Sequence, residues 1–147
     1  MARTTHSPRW IGAVLLAAVS ITACGKSGAE PDAVGPASVD TIPGSDLSRV
    51  TLTDEAAKRI DLKTQAVTQG TGAETEIPYA ALLYDPDGKT WTFVKSGELS
   101  FERASITVDH IEGDIAYLVA GPPVGTEVVT VGAAQLYGAE QGVGEDE

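Results

Sequence analysis

Apolar and polar side chains alternate in short runs from Val50 to Val131, and Gly, Pro and Asp break the runs at close intervals. Val50-Thr51-Leu52-Thr53 has the period of a strand. Thr53 is then placed to cap a short helix, Asp54 to Ile60, with Asp54 and Glu55 in the first turn and Lys58 and Arg59 in the last. Asp54–Lys58 and Glu55–Arg59 have the i,i+4 spacing of helical ion pairs, and Ala56, Ala57 and Ile60 form a small apolar face. Leu62 to Thr68 reads as a second strand, followed by a loop from Gln69 to Ala73. Ile77 to Tyr84 and Thr90 to Lys95 flank Asp85-Pro86-Asp87-Gly88, a turn sequence that predicts a hairpin. On its second strand Trp91 and Phe93 share the core face, which leaves Thr90 and Thr92 pointing outward.

From Glu98 to His110 the apolar positions change phase. Leu99 and Phe101 are odd-numbered, whereas Ala104, Ile106 and Val108 are even-numbered, so the strand must contain a bulge or a sharp bend. Ile115 to Ala120 is apolar on both faces and reads as a central strand. Glu127 to Val131 forms the last strand, and Ala133 to Tyr137 can add one helical turn. The fold class this predicts is mainly β: a small β-barrel or sandwich of about seven short strands with one short helix.

The ends read differently. Gly25 to Arg49 has no period of 2 or 3.6, and Pro31, Pro36 and Pro43 interrupt it, so residues 24–49 read as a disordered linker with a reach of up to ~75 Å. Residues 50–138 form the β-domain, and residues 139–147 an acidic disordered tail. At the other end, Arg3 and Arg9 precede twelve residues of apolar character, Trp10 to Ile21. That run is shorter than the ~20 residues of a membrane-spanning helix but has the length of a signal-peptide core. Ile21-Thr22-Ala23-Cys24 resembles the lipobox of bacterial lipoproteins. The resemblance implies that residues 1–23 are a lipoprotein signal peptide, removed before a lipidated Cys24, and that the chain is held by acyl (palmitate-type) chains at the extracytoplasmic face of the cell membrane.

Charge and composition narrow the chemistry. The chain has 10 basic and 21 acidic side chains, a net charge of −11. Removing Arg3 and Arg9 with the leader leaves 8 basic side chains against 21 acidic, a net charge of −13. This balance argues against nucleic acid as a partner, because phosphate binding needs Lys and Arg. A single Cys excludes an internal disulfide and a Cys-rich zinc site. Asp85-x-Asp87-Gly88 has the start of a calcium loop, but Ser96 stands where the loop requires Glu, so it reads as a turn. His110, beside Asp109 and Glu112, reads as a strand-end residue rather than a ligand. Gly70-x-Gly72 lacks the third glycine of a nucleotide loop, and no Gly-x-Ser-x-Gly elbow is present. No catalytic, cofactor or metal residue is assigned, and Trp91, Phe93 and Phe101 read as core.

Three stretches in order resemble the periplasmic adaptors, or membrane fusion proteins, of tripartite RND efflux pumps. They are Val50 to Ile60; Ile77 to Tyr84 with Asp85-Pro86-Asp87-Gly88 and Lys89 to Val94; and Phe101 to Val108 with Gly113-Asp114 and Val124 to Ala134. Together they cover most of residues 50–138 and are similar to the adaptor's membrane-proximal domain. The lipoyl, hairpin and separate β-barrel domains of such adaptors have no counterpart, since only Thr68 to Glu76 lies where they would be inserted. The resemblance implies an adaptor-like, non-enzymatic accessory subunit docked on a membrane transporter. The alternative is a free-standing lipoprotein that binds a small ligand or cation.

Overall fold

The computed structural model describes residues 35–143. Residues 1–34 and 144–147 lie outside it, and with them the expected signal peptide, Cys24 and the end of the acidic stretch.

Among the described residues the chain forms eleven strands in two sheets. In the larger sheet, β1 (Ala37–Thr41), β2 (Ser48–Leu52), β8 (Ser100–Ser105), β7 (Thr90–Lys95), β11 (Glu127–Val131) and β3 (Lys63–Ala66) follow in that order, and β6 (Leu83–Tyr84) also pairs with β7. The smaller sheet orders β4 (Thr68–Gln69), β5 (Thr75–Pro78), β10 (Ile115–Ala120) and β9 (Thr107–Glu112). All pairings are antiparallel. The sheets do not close into a barrel.

The phase slip read in the sequence is the place where the chain changes sheets. β8 ends at Ser105 in the larger sheet, Ile106 is buried, and β9 starts at Thr107 in the smaller one. A second crossing occurs at the buried Val67, between β3 and β4. Ile77 to Tyr84 is likewise not one strand. β5 stops at Pro78, a 3₁₀ turn (Tyr79–Ala81) follows, and β6 resumes in the other sheet. Proline cannot supply a ladder donor, which suits the end of a strand.

The crossings give the larger sheet two covered faces. On one, Val50, Leu52, Phe93, Phe101 and Val129 pack with Ala56, Ala57, Ala133 and Leu136 of the two helices. On the other, Val128 packs with Val67, Ile77, Ala81, Leu82, Ile106, Ala116 and Leu118, largely from the smaller sheet and its connections. Thr92, expected to face solvent, is therefore 0% exposed. It lies opposite Phe93 across β7, and each side of that strand faces a core. The reverse correction applies to β10. It is central in its sheet, but only Ala116 and Leu118 are buried, while Ile115 and Tyr117 lie on the outer face and Val119 is exposed.

Helix α1 (Asp54–Arg59) forms as its caps require. The Thr53 hydroxyl accepts from the Ala56 amide at 3.2 Å, and Glu55–Arg59 pair at 3.1 Å, whereas Asp54 and Lys58 make no ion pair among the described residues. Helix α2 (Ala133–Glu140) is longer than the expected single turn, so the described residues hold two helices rather than one. Its last residues were read as disordered tail, yet the Glu140 side chain is 3% exposed and lies 2.6 Å from Arg103 of β8. The linker reading is corrected as well. Ala37–Thr41 pairs with β2 in the register Val39–Val50, and the folded unit begins before residue 50. β1 is an edge strand with four of its five residues exposed, so it carries no apolar alternation.

Gly132 enters α2 with φ +98°, and a Cβ there would lie 2.9 Å from the methyls of both Ile60 and Leu62. Gly88, in the hairpin turn at φ +80°, has nothing within 4 Å of the same position. Both Gly132→Ala and Gly88→Ala incur the ~1–2 kcal/mol of left-handed backbone. Gly132→Ala should lower the unfolding midpoint somewhat more, because the Ile60 and Leu62 methyls that follow α1 must also move aside. Equal shifts in thermal denaturation would refute that packing.

Candidate functional site

The outer face of the smaller sheet gathers the only described histidine, a tyrosine and several carboxylates. Its centre is the β9–β10 hairpin, turned by Gly113 at φ +58°. Ile115 and Tyr117 project from β10 on the side opposite Ala116 and Leu118, as the period of a strand requires, and Val119, an extra residue at a second register shift, is exposed. Tyr117 is paired with Glu76 of β5 on one side and His110 of β9 on the other. The rings of His110 and Tyr117 stack with centroids 4.3 Å apart and planes 3° from parallel.

Consecutive residues of a strand normally point to opposite faces. Asp109 and His110 nevertheless meet, with Oδ2 2.8 Å from Nδ1. The cause lies in the register, which passes from Tyr117–His110 to Leu118–Val108 and leaves Asp109 as an extra residue. Such a bulge re-aims a side chain, and here it brings a carboxylate to the imidazole.

Glu74 completes the group from the loop before β5. The Gln69 amide donates to the Glu74 carbonyl at 2.8 Å and to that of Gly72 at 3.1 Å, and the Gly70 N–H donates to the Glu74 carbonyl at 3.0 Å. The Gly70-x-Gly72 segment is thus a turn that positions Glu74. One ligand-type atom each from Glu74, Asp109 and His110 lies within 4.8 Å of the others. Partial burial, with the charges of Glu76, Glu112 and Glu74, holds the Tyr117 phenol above its ordinary pKa. The face is strongly acidic, yet it exposes apolar surface at Ile115 and Val119.

The other residues considered in the sequence have structural roles. Asp85 accepts from the Lys89 amide at 2.8 Å and the Trp91 indole N–H at 3.0 Å, which occupies both carboxylate oxygens. The indole hydrogen bond holds its carboxyl below the usual range. The turn reading holds and the hairpin forms, with Leu83 opposite Trp91. Phe93 and Phe101 are buried, and Trp91 lies beneath the Arg103 guanidinium, 4.8 Å from its carbon to the ring centre. Cys24 lies outside the described residues. An open groove of about 340 Å³ runs past Leu52, Ala56, Ile60 and Val143 and is almost wholly apolar, with no converging polar groups.

His110 and Asp109 were visible as neighbours in the sequence, though not as partners. Glu74 had no signal at all, because only the pairing of β5 with β10 brings it near β9. No protein-family model, curated protein or solved structure gives a significant match to this chain.

Proposed function

We propose that this chain is a lipid-anchored, extracytoplasmic accessory subunit of a membrane transport system, adaptor-like and without catalytic activity. Cys24 carries the anchor, and efflux is the direction suggested by the sequence resemblance. The observation that supports docking is the outer face of the smaller sheet. Ile115 is 37% and Val119 57% exposed there among carboxylates, and Ile115 borders a shallow hollow of about 250 Å³ with Glu76 and Asp114. Exposed apolar side chains among charged groups suit a protein interface, in which the charges steer association and the apolar contacts set affinity. The middle of the larger sheet, by contrast, is covered on both sides by the two cores.

Two measurements test the reading. Each buried CH₂ contributes ~0.8 kcal/mol to membrane binding, and two acyl chains give stable anchoring where one is marginal. Cys24→Ser should therefore move most of the protein from the detergent phase to the aqueous phase and remove the lipid from its mass. An unchanged partition ends the lipoprotein reading. A photo-crosslinker at Val119 in intact cells should capture a membrane transport protein, and removal of residues 144–147 should leave that capture intact. If the wild type captures none, while a small ligand co-purifies and raises its melting temperature, the chain is a free-standing binding lipoprotein.

A further inference from the structure

We propose that Glu74, Asp109 and His110 bind one divalent transition-metal cation of the zinc type on the outer face of the smaller sheet. The inference stands on the geometry of the cluster and does not depend on what docks beside it. Two carboxylates and one imidazole meet from two elements, Glu74 from the loop before β5 and Asp109 and His110 from β9, and their ligand atoms lie within 4.8 Å of one another. Ligands at ~2.0–2.2 Å from a common zinc ion sit closer together than that, and rotation about the side-chain bonds of the half-buried Glu74 and the exposed Asp109 closes the difference.

Asp109 Oδ2 and His110 Nδ1 are already 2.8 Å apart. A cation would replace the proton between them and recruit Glu74 as the third ligand, leaving a remaining position to water, as in open zinc sites.

Three features prepare the cluster. The bulge turns Asp109 toward the imidazole, where a regular strand would direct it to the opposite face. Stacking on Tyr117 holds the plane of the His110 ring. Two hydrogen bonds to the Glu74 carbonyl, from Gln69 and Gly70, fix the backbone that presents the third ligand. The mixed donor set also identifies the class of ion. Calcium and magnesium take oxygen ligands and gain little from imidazole, whereas zinc and its neighbours in the first transition row bind nitrogen and carboxylate together. The acidic surroundings and the net charge of −11 raise the local concentration of any divalent cation.

The test uses the full chain carrying His6→Ala and Cys24→Ser, so that His110 is its only imidazole and no thiol competes. Zinc chloride is titrated into this parent and into versions that add Glu74→Gln, Asp109→Asn or His110→Ala, with binding followed by calorimetry and by melting temperature. The parent should bind one zinc ion and melt higher with it. Each added substitution should weaken binding at least tenfold and abolish the shift, and equal concentrations of calcium or magnesium should produce no shift. Asp109 and His110 are exposed, so the metal-free variants should melt like the parent; should His110→Ala melt lower, the near-isosteric Glu74→Gln decides the question. Absence of zinc binding by the parent, undiminished binding by the variants, or an equal response to calcium would each overturn the site.

Discussion

Replacing Phe93 with alanine is expected to destabilise the domain by about 3–5 kcal/mol, the usual effect of emptying a buried aromatic position. Phe93 is 0% exposed and lies in the core between the larger sheet and the helices, against a typical total stability of only ~5–15 kcal/mol. Trp91 projects from the same face of β7 but is only partly buried, so Trp91→Ala should have a smaller effect. The neighbour between them should respond in the opposite sense. The Thr92 hydroxyl is buried without a hydrogen-bond partner among the described residues. Thr92→Val exchanges that hydroxyl for a methyl of similar size and should stabilise by about 1 kcal/mol, since an unpaired buried hydroxyl carries a desolvation penalty. Urea denaturation of the three variants measures the order. A Thr92→Val variant no more stable than the parent would refute the unpaired, buried hydroxyl and with it the assignment of β7 between two cores.

Removing the Glu140 carboxylate should have an effect of comparable size. Arg103 Nε and Glu140 Oε2 are 2.6 Å apart, with side chains only 12% and 3% exposed. Neither atom makes an aligned hydrogen bond, so the pair is held by charge and close packing. The guanidinium carbon also lies 4.8 Å from the centre of the Trp91 ring and 5.3 Å from that of Tyr137. Each aromatic contact adds ~0.5–2 kcal/mol. Breaking a buried pair by deleting one partner leaves the other charge uncompensated, typically at about 3–5 kcal/mol. Glu140→Ala should lose most of that and loosen the end of α2. The double variant Arg103→Met, Glu140→Leu should lose much less than the two single changes added together, because it leaves no lone charge. A Glu140→Ala effect below ~0.5 kcal/mol would place Glu140 in solvent and restore the view of residues 139–147 as a free tail.

These two predictions also mark where sequence reading succeeded and where it stopped. Thr53, the acidic first turn and the basic last turn of α1 are local signals, and the helix begins and ends within a residue of them. Asp85-Pro86-Asp87-Gly88 made the hairpin legible, and the phase change before His110 marked a real bend. Burial on both sides of β7 was not legible, because Thr92 is polar and the second layer that covers it comes from residues far along the chain. β1 was missed for the opposite reason: an edge strand exposed on both faces needs no apolar pattern. Glu140 looked like the start of an acidic tail, since nothing local announces a buried partner 37 residues earlier in the sequence. The candidate site was half legible at best. Asp109 and His110 are adjacent in sequence, but their shared face depends on a bulge defined only by pairing with β10.

The pairings that close the larger sheet have a further consequence, in time rather than space. β2 joins β8 through contacts such as Arg49–Glu102, 53 residues apart, and β3 joins β11, where Thr130 donates to the Lys63 carbonyl across 67. Closing loops of that length must precede the contacts that reward it, which places folding in the slow regime of non-local β proteins, ~milliseconds to seconds. A chain that emerges from a ribosome or crosses a membrane N-terminus first holds the β1–β2 pair and β3 without their inner partners until β8 and β11 arrive. The first half stays open to chaperones and proteases during that interval, and arrival of the last strand, more than any local propensity, starts the clock on folding.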